Sequence, residues 1–293
     1  MRTLGRQFTP LLEGLVRLVV EQFARALGSP LLYLSSIVVT DFGREPGYAA
    51  PLFEMLQRLS AAAAPCLESL DHLTAHPDVV EEYFYLVERV LSHCPEPLVV
   101  SPLLESVLMC GTEGLRLHHR EARKGVLSCL ETLVGLGLPG GGRHGGGGRD
   151  SGGSSGGGDG RAAVAMNGDD ADGDSSVHRL RIEALLASRG AELVQGLVGC
   201  CVGDLPAYAL DGPSGSVAGL MWKLTLLRPQ WMQEWMAASL AQVNGSTVPP
   251  QQRGNFLRQL LEEAAADDRD AFVDTVRRFS HMARQNARRW NSG

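Results

Sequence analysis

The sequence predicts an all-α fold, in which antiparallel helix pairs stack side by side into a solenoid. Apolar residues recur at helical spacing along most of the 293 residues, and Pro and Gly separate one periodic segment from the next. Hydrophobic residues make up 44% of the chain and aromatic residues only 6%. A core of Leu, Ala and Val with few aromatic rings suits helix-on-helix packing.

The stretch from His76 to Pro95 is the clearest of these helices. Asp78 is a good N-cap, and Glu81 three residues later would complete a capping box, while Pro95 stops the helix. One stripe at helical spacing is apolar and consists of Val80, Tyr83, Phe84, Val87, Val90 and Leu91. We expect the opposite face to be exposed, and this face carries Glu81, Glu82, Tyr85, Glu88 and Arg89.

The same periodicity predicts the other helices. In chain order they cover residues 8–27, 30–43, 51–64, 66–73, 99–110, 121–136, 177–201, 213–228, 229–243, 249–265 and 268–290. Residues 37–40 are β-branched and would allow a strand, but helical segments on both sides favour the second helix of a hairpin. Pro65 bends or ends the helix that it follows. A Trp and Met stripe in residues 229–243 is typical of a core rather than of a ligand site.

The spacing of the helix pairs indicates a repeat. Hairpins begin near residue 213 and near residue 250, about 37 residues apart, which is close to the period of HEAT and armadillo repeats. A single pair cannot bury its own apolar face, so stacked pairs must share one continuous core. The predicted fold is therefore a HEAT-type α-solenoid.

One segment differs in composition from the rest of the chain. Residues 139–176 hold 15 of the 35 glycines, together with Ser and Asp and almost no large apolar residue. Such a segment cannot bury enough surface to offset the entropy of ordering it, which predicts a disordered insertion. A phosphate-binding loop of the P-loop type would need a preceding strand and a GK[ST] motif, and neither is present. The predicted organisation is helical repeats in 1–138, the insertion in 139–176, and helical repeats of the same solenoid in 177–293.

Catalytic and metal-binding patterns are not found. The sequence contains no HExxH and no Cys/His quartet with zinc spacing, so we expect neither an enzyme nor a cofactor. The six cysteines lie in apolar helical contexts without a CxxC, which favours reduced buried thiols. No uninterrupted apolar run approaches the ~20 residues of a membrane span. The first helix is Arg-rich and amphipathic like a transit peptide, but Glu13 and Glu21 argue against that interpretation.

Two charged sets could take part in recognition. Asp78, Glu81, Glu82 and Glu88 form an acidic face on one helix, and residues 262–270 add further carboxylates near the end. In a solenoid the second helix of each pair lines the concave face, where an acidic ridge could hold basic cargo. The last helix is rich in Arg and could bind an acidic or phosphorylated ligand. Ordinary solvated faces are the alternative for both sets, and the net charge of −6 gives no indication of nucleic-acid binding.

Six stretches, taken in order, resemble a known family. They are LLYLSSIVVTDFG, HPDVVEEYFYLVERVLSHCP, LHHREARKGVLSCLETL, ELVQGLVGCCVGDLPAYALDG, LMWKLTLLRPQWMQEWMAASL and DAFVDTVRRFSHMARQNARR. Together they resemble the carboxy-terminal part of transportin-SR-type karyopherins, which are HEAT-repeat proteins of the importin-β superfamily. The resemblance covers nearly everything except the Gly-rich insertion.

The resemblance implies a nuclear import receptor that shuttles between cytoplasm and nucleus. Receptors of this kind bind cargo proteins with arginine/serine-rich domains, chiefly splicing factors. They pass the pore by contacting Phe-Gly nucleoporins, and they release cargo to Ran-GTP. Family cargo recognition uses an arginine-rich helix just before the region seen here; Arg2 would be its last arginine, with Arg6 nearby. The possible cargo contacts are therefore Arg2, Arg6, Glu81, Glu82 and Glu88.

The sequence departs from the family pattern in two places. The amino-terminal arch that carries the main Ran-GTP contacts is absent, and the Gly-rich insertion is foreign to the pattern. The resemblance thus implies either a fragment or a truncated paralogue. A HEAT-type scaffold or regulatory subunit outside nuclear transport is the alternative function.

Overall fold

The computed structural model describes residues 9–139, 169–203, 209–210, 212 and 215–291. Within these residues every regular element is a helix, which confirms the predicted all-α class. The helices are α1 Thr9–Ala26, α2 Ser29–Phe42, α3 Ala49–Leu67, α4 Leu70–Ala75, α5 Pro77–His93, α6 Glu96–Val99, α7 Leu103–Gly114, α8 Arg120–Gly135, α9 Asp169–Val202, α10 Val217–Leu227, α11 Pro229–Gln242, α12 Pro250–Ala265 and α13 Arg269–Asn291.

The helices form two layers, as expected for a HEAT-type solenoid. In one layer α2, α5, α8, α10 and α13 contact each other in that order, and we call this the second-helix layer. In the other layer α1 contacts α3, α7 contacts α9, and α9 contacts α11, which contacts α12; we call this the first-helix layer. Pairs such as α1–α2, α3–α5, α7–α8 and α12–α13 join the two layers. One apolar cluster runs between the layers, from Leu12 in α1 to Ala283 in α13.

Helix α5 confirms the predicted apolar stripe but not the predicted cap. All six stripe residues are buried. The helix begins at Pro77, so His76 occupies the N-cap position, and no side chain caps the helix there. Proline is favoured in the first turn because its missing N–H would be unpaired anyway, and this moves the start one residue ahead of Asp78. The predicted capping box of Asp78 and Glu81 is therefore wrong; Asp78 lies in the first turn, where its charge favours the helix dipole.

The helix boundaries differ from the prediction in three places. Pro65 lies inside α3, which continues to Leu67. The helix predicted over 99–110 begins only at Leu103, as α7, and continues to Gly114, while Glu96–Val99 before it form the separate short α6. Helix α9 begins at Asp169, inside the predicted insertion, and residues 140–168 of that insertion lie outside the described residues.

The β-branched stretch in α2 is helical, as the prediction favoured. The hydroxyls of Ser36 and Thr40 donate to carbonyls one turn earlier, Leu32 O at 3.2 Å and Ser36 O at 2.8 Å. These bonds satisfy the hydroxyls on the helix itself, so the polar residues fit a helix that packs against α1 and α5.

One described helix meets the length and composition of a membrane span. It is the part of α9 from Ser176 to Val202. The uninterrupted-run criterion used above does not detect it because polar residues punctuate the segment. This helix packs against α6, α7, α10, α11 and α13, and a core helix of a soluble fold passes the same test. These contacts bury Ile182, Leu186, Leu193, Val194 and Leu197, whereas Val177 and Leu180 near its start are exposed.

Candidate functional site

The predicted acidic contacts of α5 lie where this helix meets α8, in the second-helix layer. Glu81, Glu82 and Glu88 are half-buried there, and Arg89 is exposed. The prediction of a fully exposed face is therefore wrong. The polar face is partly buried because α8 approaches it closely. A Cβ added at Gly125 would lie only 3.1 Å from the Glu81 carbonyl oxygen. The absent side chain lets α8 cover part of the polar face of α5.

Four carboxylates gather around Tyr85 at this junction. We call Glu81, Glu82 and Glu88 of α5 and Glu121 of α8 the acidic strip. Burial raises the pKa of Glu81, and the Glu121 charge raises it further. Burial and the Glu81 charge likewise raise the pKa of Glu82. Burial and the surrounding carboxylates, first Glu81 and then Glu121, raise the pKa of Tyr85 to about 12.

Positive groups compensate the acidic strip only in part. His119 and Lys124 lower the pKa of Glu81, but burial and Glu121 outweigh them, because the net shift is upward. Arg120 Nε lies 3.4 Å from Glu121 Oε1, and both side chains are largely exposed. An exposed pair of this kind contributes little to stability. Glu81, Glu82 and Glu88 therefore keep a raised pKa, which an incoming cation would lower.

Glu88 differs from the other α5 carboxylates of the strip because its side chain is hydrogen-bonded to α8. Burial raises its pKa, the Arg89 charge lowers it, and a side-chain hydrogen bond with Ser128 lowers it further. The carboxylate of Glu131 on α8 acts in the opposite direction. Glu88 thus links the acidic strip to a second polar group between α8 and α10.

This second group holds α8 and α10 together. Glu131, only 7% exposed, accepts a hydrogen bond from the backbone N–H of Gly215 at 3.0 Å through Oε2. Lys223 Nζ donates to the Glu131 carbonyl at 3.1 Å and lies 3.5 Å from Oε1. Gly215 has φ +65°, and a Cβ there would lie 2.9 Å from Lys124 O. Only glycine meets both conditions, so this group is structural.

The structure gives no geometry for two predicted contacts. Arg2 and Arg6 lie outside the described residues. Sequence reasoning in turn missed Glu121, Ser128, Glu131 and Lys223, which complete the polar surface. The available signal was the pattern of α8, where Ser128 and Glu131 stand within the mostly apolar stretch of residues 126–134.

The acidic residues near the end of the chain serve the last helix pair. Asp268 Oδ1 accepts from the Ala271 N–H at 2.9 Å at the start of α13. Glu263 Oε1 accepts from the Thr275 hydroxyl at 2.7 Å, which links α12 to α13. Arg277 of the Arg-rich helix pairs with Asp274 at 2.8 Å. Several terminal charges therefore act within the structure.

The cysteines and acidic groups show no metal-type arrangement in the part of the chain that the structure describes. No group of three or more His, Cys, Asp or Glu side chains is arranged there so that it could hold a metal ion. All six thiols are free, and Cys110 alone is not fully buried. Burial raises the pKa of Cys110 and of Cys200 to about 12, and that of Cys94 to about 11. Such thiols remain protonated and weakly nucleophilic at neutral pH.

The fold defines a class: an α-solenoid of stacked helix pairs, whose second-helix layer carries the acidic strip. Residues 1–67 match the family model described as the Transportin-3/Importin-13 fourth TPR domain. The chain is also similar to Transportin MOS14 from Arabidopsis thaliana, with 23% identity over 286 residues. This match covers 98% of the chain and 26% of the relative, so the chain spans about a quarter of that protein's length.

These two matches support a member of the transportin and importin-β family. They do not single out the transportin-SR branch. Members of this family are transport receptors rather than enzymes.

Proposed function

We propose that this chain is part of a nuclear import receptor and that its second-helix layer binds basic segments of protein cargo. The acidic strip is the observation that carries the proposal. Burial raises the pKa of Glu81 and of Glu82, the Glu121 charge adds to the shift of Glu81 and the Glu81 charge to that of Glu82, and His119 and Lys124 offset the shift of Glu81 only in part. A guanidinium from cargo would remove this repulsion, and Arg suits carboxylates because its planar fork can donate two parallel hydrogen bonds.

The chemistry of the strip fits arginine/serine-rich cargo, the class carried by the family that the sequence resembles. Glu81 and Glu82 lie on adjacent positions of α5, with Glu121 across the helix boundary on α8. An arginine in every second position of an extended peptide could reach carboxylates on both helices. Arg2 and Arg6 would complement the strip by binding serines that carry phosphate.

The proposal extends to the whole receptor and to the organisation of the chain. Contacts with Phe-Gly nucleoporins, release by Ran-GTP, and shuttling between cytoplasm and nucleus would belong to the longer protein. Residues 1–138 and 177–293 would form one solenoid around the insertion of 139–176. Contacts of α7 with α9 and of α8 with α10, across the segment outside the described residues, support this organisation.

Peptide binding tests the role of the acidic strip. Fluorescence anisotropy would measure the Kd of an arginine–serine repeat peptide for the wild-type chain and for Glu81→Gln/Glu82→Gln. An ion pair of this exposure is worth about 2- to 5-fold in affinity, so the double variant should bind about 4- to 25-fold more weakly. The control is Glu54→Gln/Glu234→Gln, which removes two exposed carboxylates from α3 and α11 in the other layer.

The outcomes separate the alternatives. Equal weakening by both double variants would show a nonspecific effect of net charge. No peptide binding at all would favour the HEAT-type scaffold outside nuclear transport. In a chain extended to the length of the relative, binding that persists unchanged with Ran-GTP would contradict the import-receptor proposal. A phosphorylated peptide tests Arg2 and Arg6 in the same assay, through Arg2→Ala/Arg6→Ala.

A further inference from the structure

A groove of about 900 Å³ lies in the first-helix layer between α7 and α9. We call it the α7–α9 groove. The end of α3 and its link to α4 close one side, and the turn between α7 and α8 forms part of the floor. The groove and the acidic strip are separate surfaces, because the groove belongs to the first-helix layer and the strip to the second-helix layer.

Helix α9 presents bare backbone to this groove. Gly196 and Gly199 of α9 line it, together with Gly203 just after the helix; the Leu115 side chain already lies over Gly196, 3.0 Å from the position of an added Cβ. A Cβ added at Gly199 would have no other atom within 4 Å, so the space in front of it is open. A small residue at such a position lets a second helix approach closely, since no side chain separates the two backbones. Facing them, Met109 of α7 is 45% exposed, although it is a large apolar residue.

Negative charge predominates around the groove. Glu68, Glu113 and Glu192 line it with side chains that are 66%, 54% and 60% exposed. Arg116 also lines it and lies 3.4 Å from Glu113. Arg189, which is not a lining residue, lies 3.6 Å from Glu192. These pairs are exposed and therefore weak, so the groove offers an apolar floor between carboxylates.

We propose that the α7–α9 groove docks an amphipathic helix of a partner protein, with an apolar stripe between basic flanks. The apolar stripe would cover Met109 and Gly199, and Lys or Arg on the flanks would face Glu68, Glu113 and Glu192. A helix fits better than an extended segment, because the helical walls offer no free backbone groups to pair with. Helix α7 has 12 residues and is about 18 Å long, which matches a docked helix of three to four turns.

The probe is a labelled peptide of about 16 residues, with Leu at helical spacing and Lys on both flanks. Fluorescence anisotropy with the full chain would give its Kd. Two peptides control its chemistry: one replaces every Lys by Glu, and the other keeps the composition but breaks the Leu stripe. The Lys-flanked peptide should bind at least about 10-fold more tightly than either.

Gly199→Leu tests the location. The variant should fold, because its Cβ meets nothing, while its side chain fills the groove and should weaken peptide binding at least about 10-fold. Gly254→Leu is the matched control, a glycine of α12 whose Cβ would also have no atom within 4 Å. Thermal denaturation of both variants checks their folding. Glu113→Gln/Glu192→Gln should weaken binding about 2- to 25-fold and reduce its salt dependence.

Each remaining outcome is decisive. Unchanged binding to Gly199→Leu, or equal losses for Gly199→Leu and Gly254→Leu, overturns the proposed location. Equal affinity of the Lys-flanked and Glu-flanked peptides overturns the role of charge. A neutral Phe-Gly peptide is the last comparison. If it binds wild type more tightly than the Lys-flanked peptide does, and if Gly199→Leu abolishes this binding, the groove is assigned to short aromatic segments instead. Glu81→Gln/Glu82→Gln should leave this binding unchanged, so the outcome is independent of the proposed cargo surface.

Discussion

Replacing Glu131 by Ala should destabilise the solenoid where α8 meets α10. The change removes the Glu131 carboxylate. Its Oε2 accepts a hydrogen bond from the Gly215 N–H at 3.0 Å, and its Oε1 lies 3.5 Å from Lys223 Nζ. Lys223 would keep its hydrogen bond to the backbone carbonyl of residue 131 at 3.1 Å. The loss is therefore concentrated on the N–H of Gly215, which lies in a buried turn with no room for a side chain.

The magnitude follows from these contacts. A hydrogen bond to a charged group is worth about 1.5–3 kcal/mol, and an unpaired buried donor adds to its loss, so we expect about 3 kcal/mol. In a domain of this size each kcal/mol shifts Tm by about 3 °C, which gives a decrease of about 9 °C. Glu131→Gln keeps an oxygen that can accept from Gly215, so it should cost about 1 kcal/mol.

Urea denaturation followed by circular dichroism would measure the free energy of unfolding, and a thermal scan would measure Tm. Glu234→Ala, an exposed carboxylate on α11, is the control and should stay within about 0.5 kcal/mol of wild type. A double-mutant cycle with Lys223→Met should give a coupling of about 1 kcal/mol. If Glu131→Ala loses no more than its control, the bond to Gly215 does not stabilise this junction and the reasoning fails.

Three further predictions concern packing and charge. Gly125→Val should cost about 2 kcal/mol in urea denaturation, because the new side chain meets the Glu81 backbone at 3.1 Å, whereas Gly254→Val on open α12 should lose only helix propensity. The pKa of Glu82 is raised in the folded state, so ionisation of this carboxyl group disfavours folding. Glu82→Gln should therefore be more stable than wild type at pH 7, and this gain in stability should vanish near pH 4. A gain that persists at pH 4 would contradict the reasoning. Arg253→Lys should lower the free energy of unfolding by about 1–2 kcal/mol, since the guanidinium donates to Val248 O, Ala241 O and Val243 O at 2.8, 3.3 and 2.5 Å. The control Arg258→Lys changes an exposed side chain and should leave stability unchanged.

The apolar stripe of α5 could be predicted because its spacing depends only on local sequence. The burial of its polar face could not, since helical periodicity identifies one apolar face and says nothing about a second neighbour. That neighbour is set by Gly125, which lies on another helix and removes the side chain that would hold α8 away from Glu81. The helix start was misplaced for a local reason: Pro77 outweighed the capping preference of Asp78.

The candidate site was accessible from the sequence only in part. The carboxylates of α5 could be recognised from their common face. Their coupling to Glu121 depends on the way α5 and α8 are paired, and the bond between Glu131 and Gly215 joins residues 84 positions apart. No periodicity encodes a contact of that separation, because stacking of the helix pairs creates it. The open groove beside Gly199 could not be predicted from the sequence for the same reason.

The bond between Glu131 and Gly215 also affects how the chain can vary in length. It closes α8 onto α10, and α7 contacts α9, so both ends of the connection between α8 and α9 are anchored by contacts outside it. Doubling the length of even a fully flexible connection between fixed ends costs only about 0.6 kcal/mol. Insertions and deletions between α8 and α9 should therefore leave the stacking of the repeats in register, which makes this connection a suitable place to insert a fluorescent reporter domain.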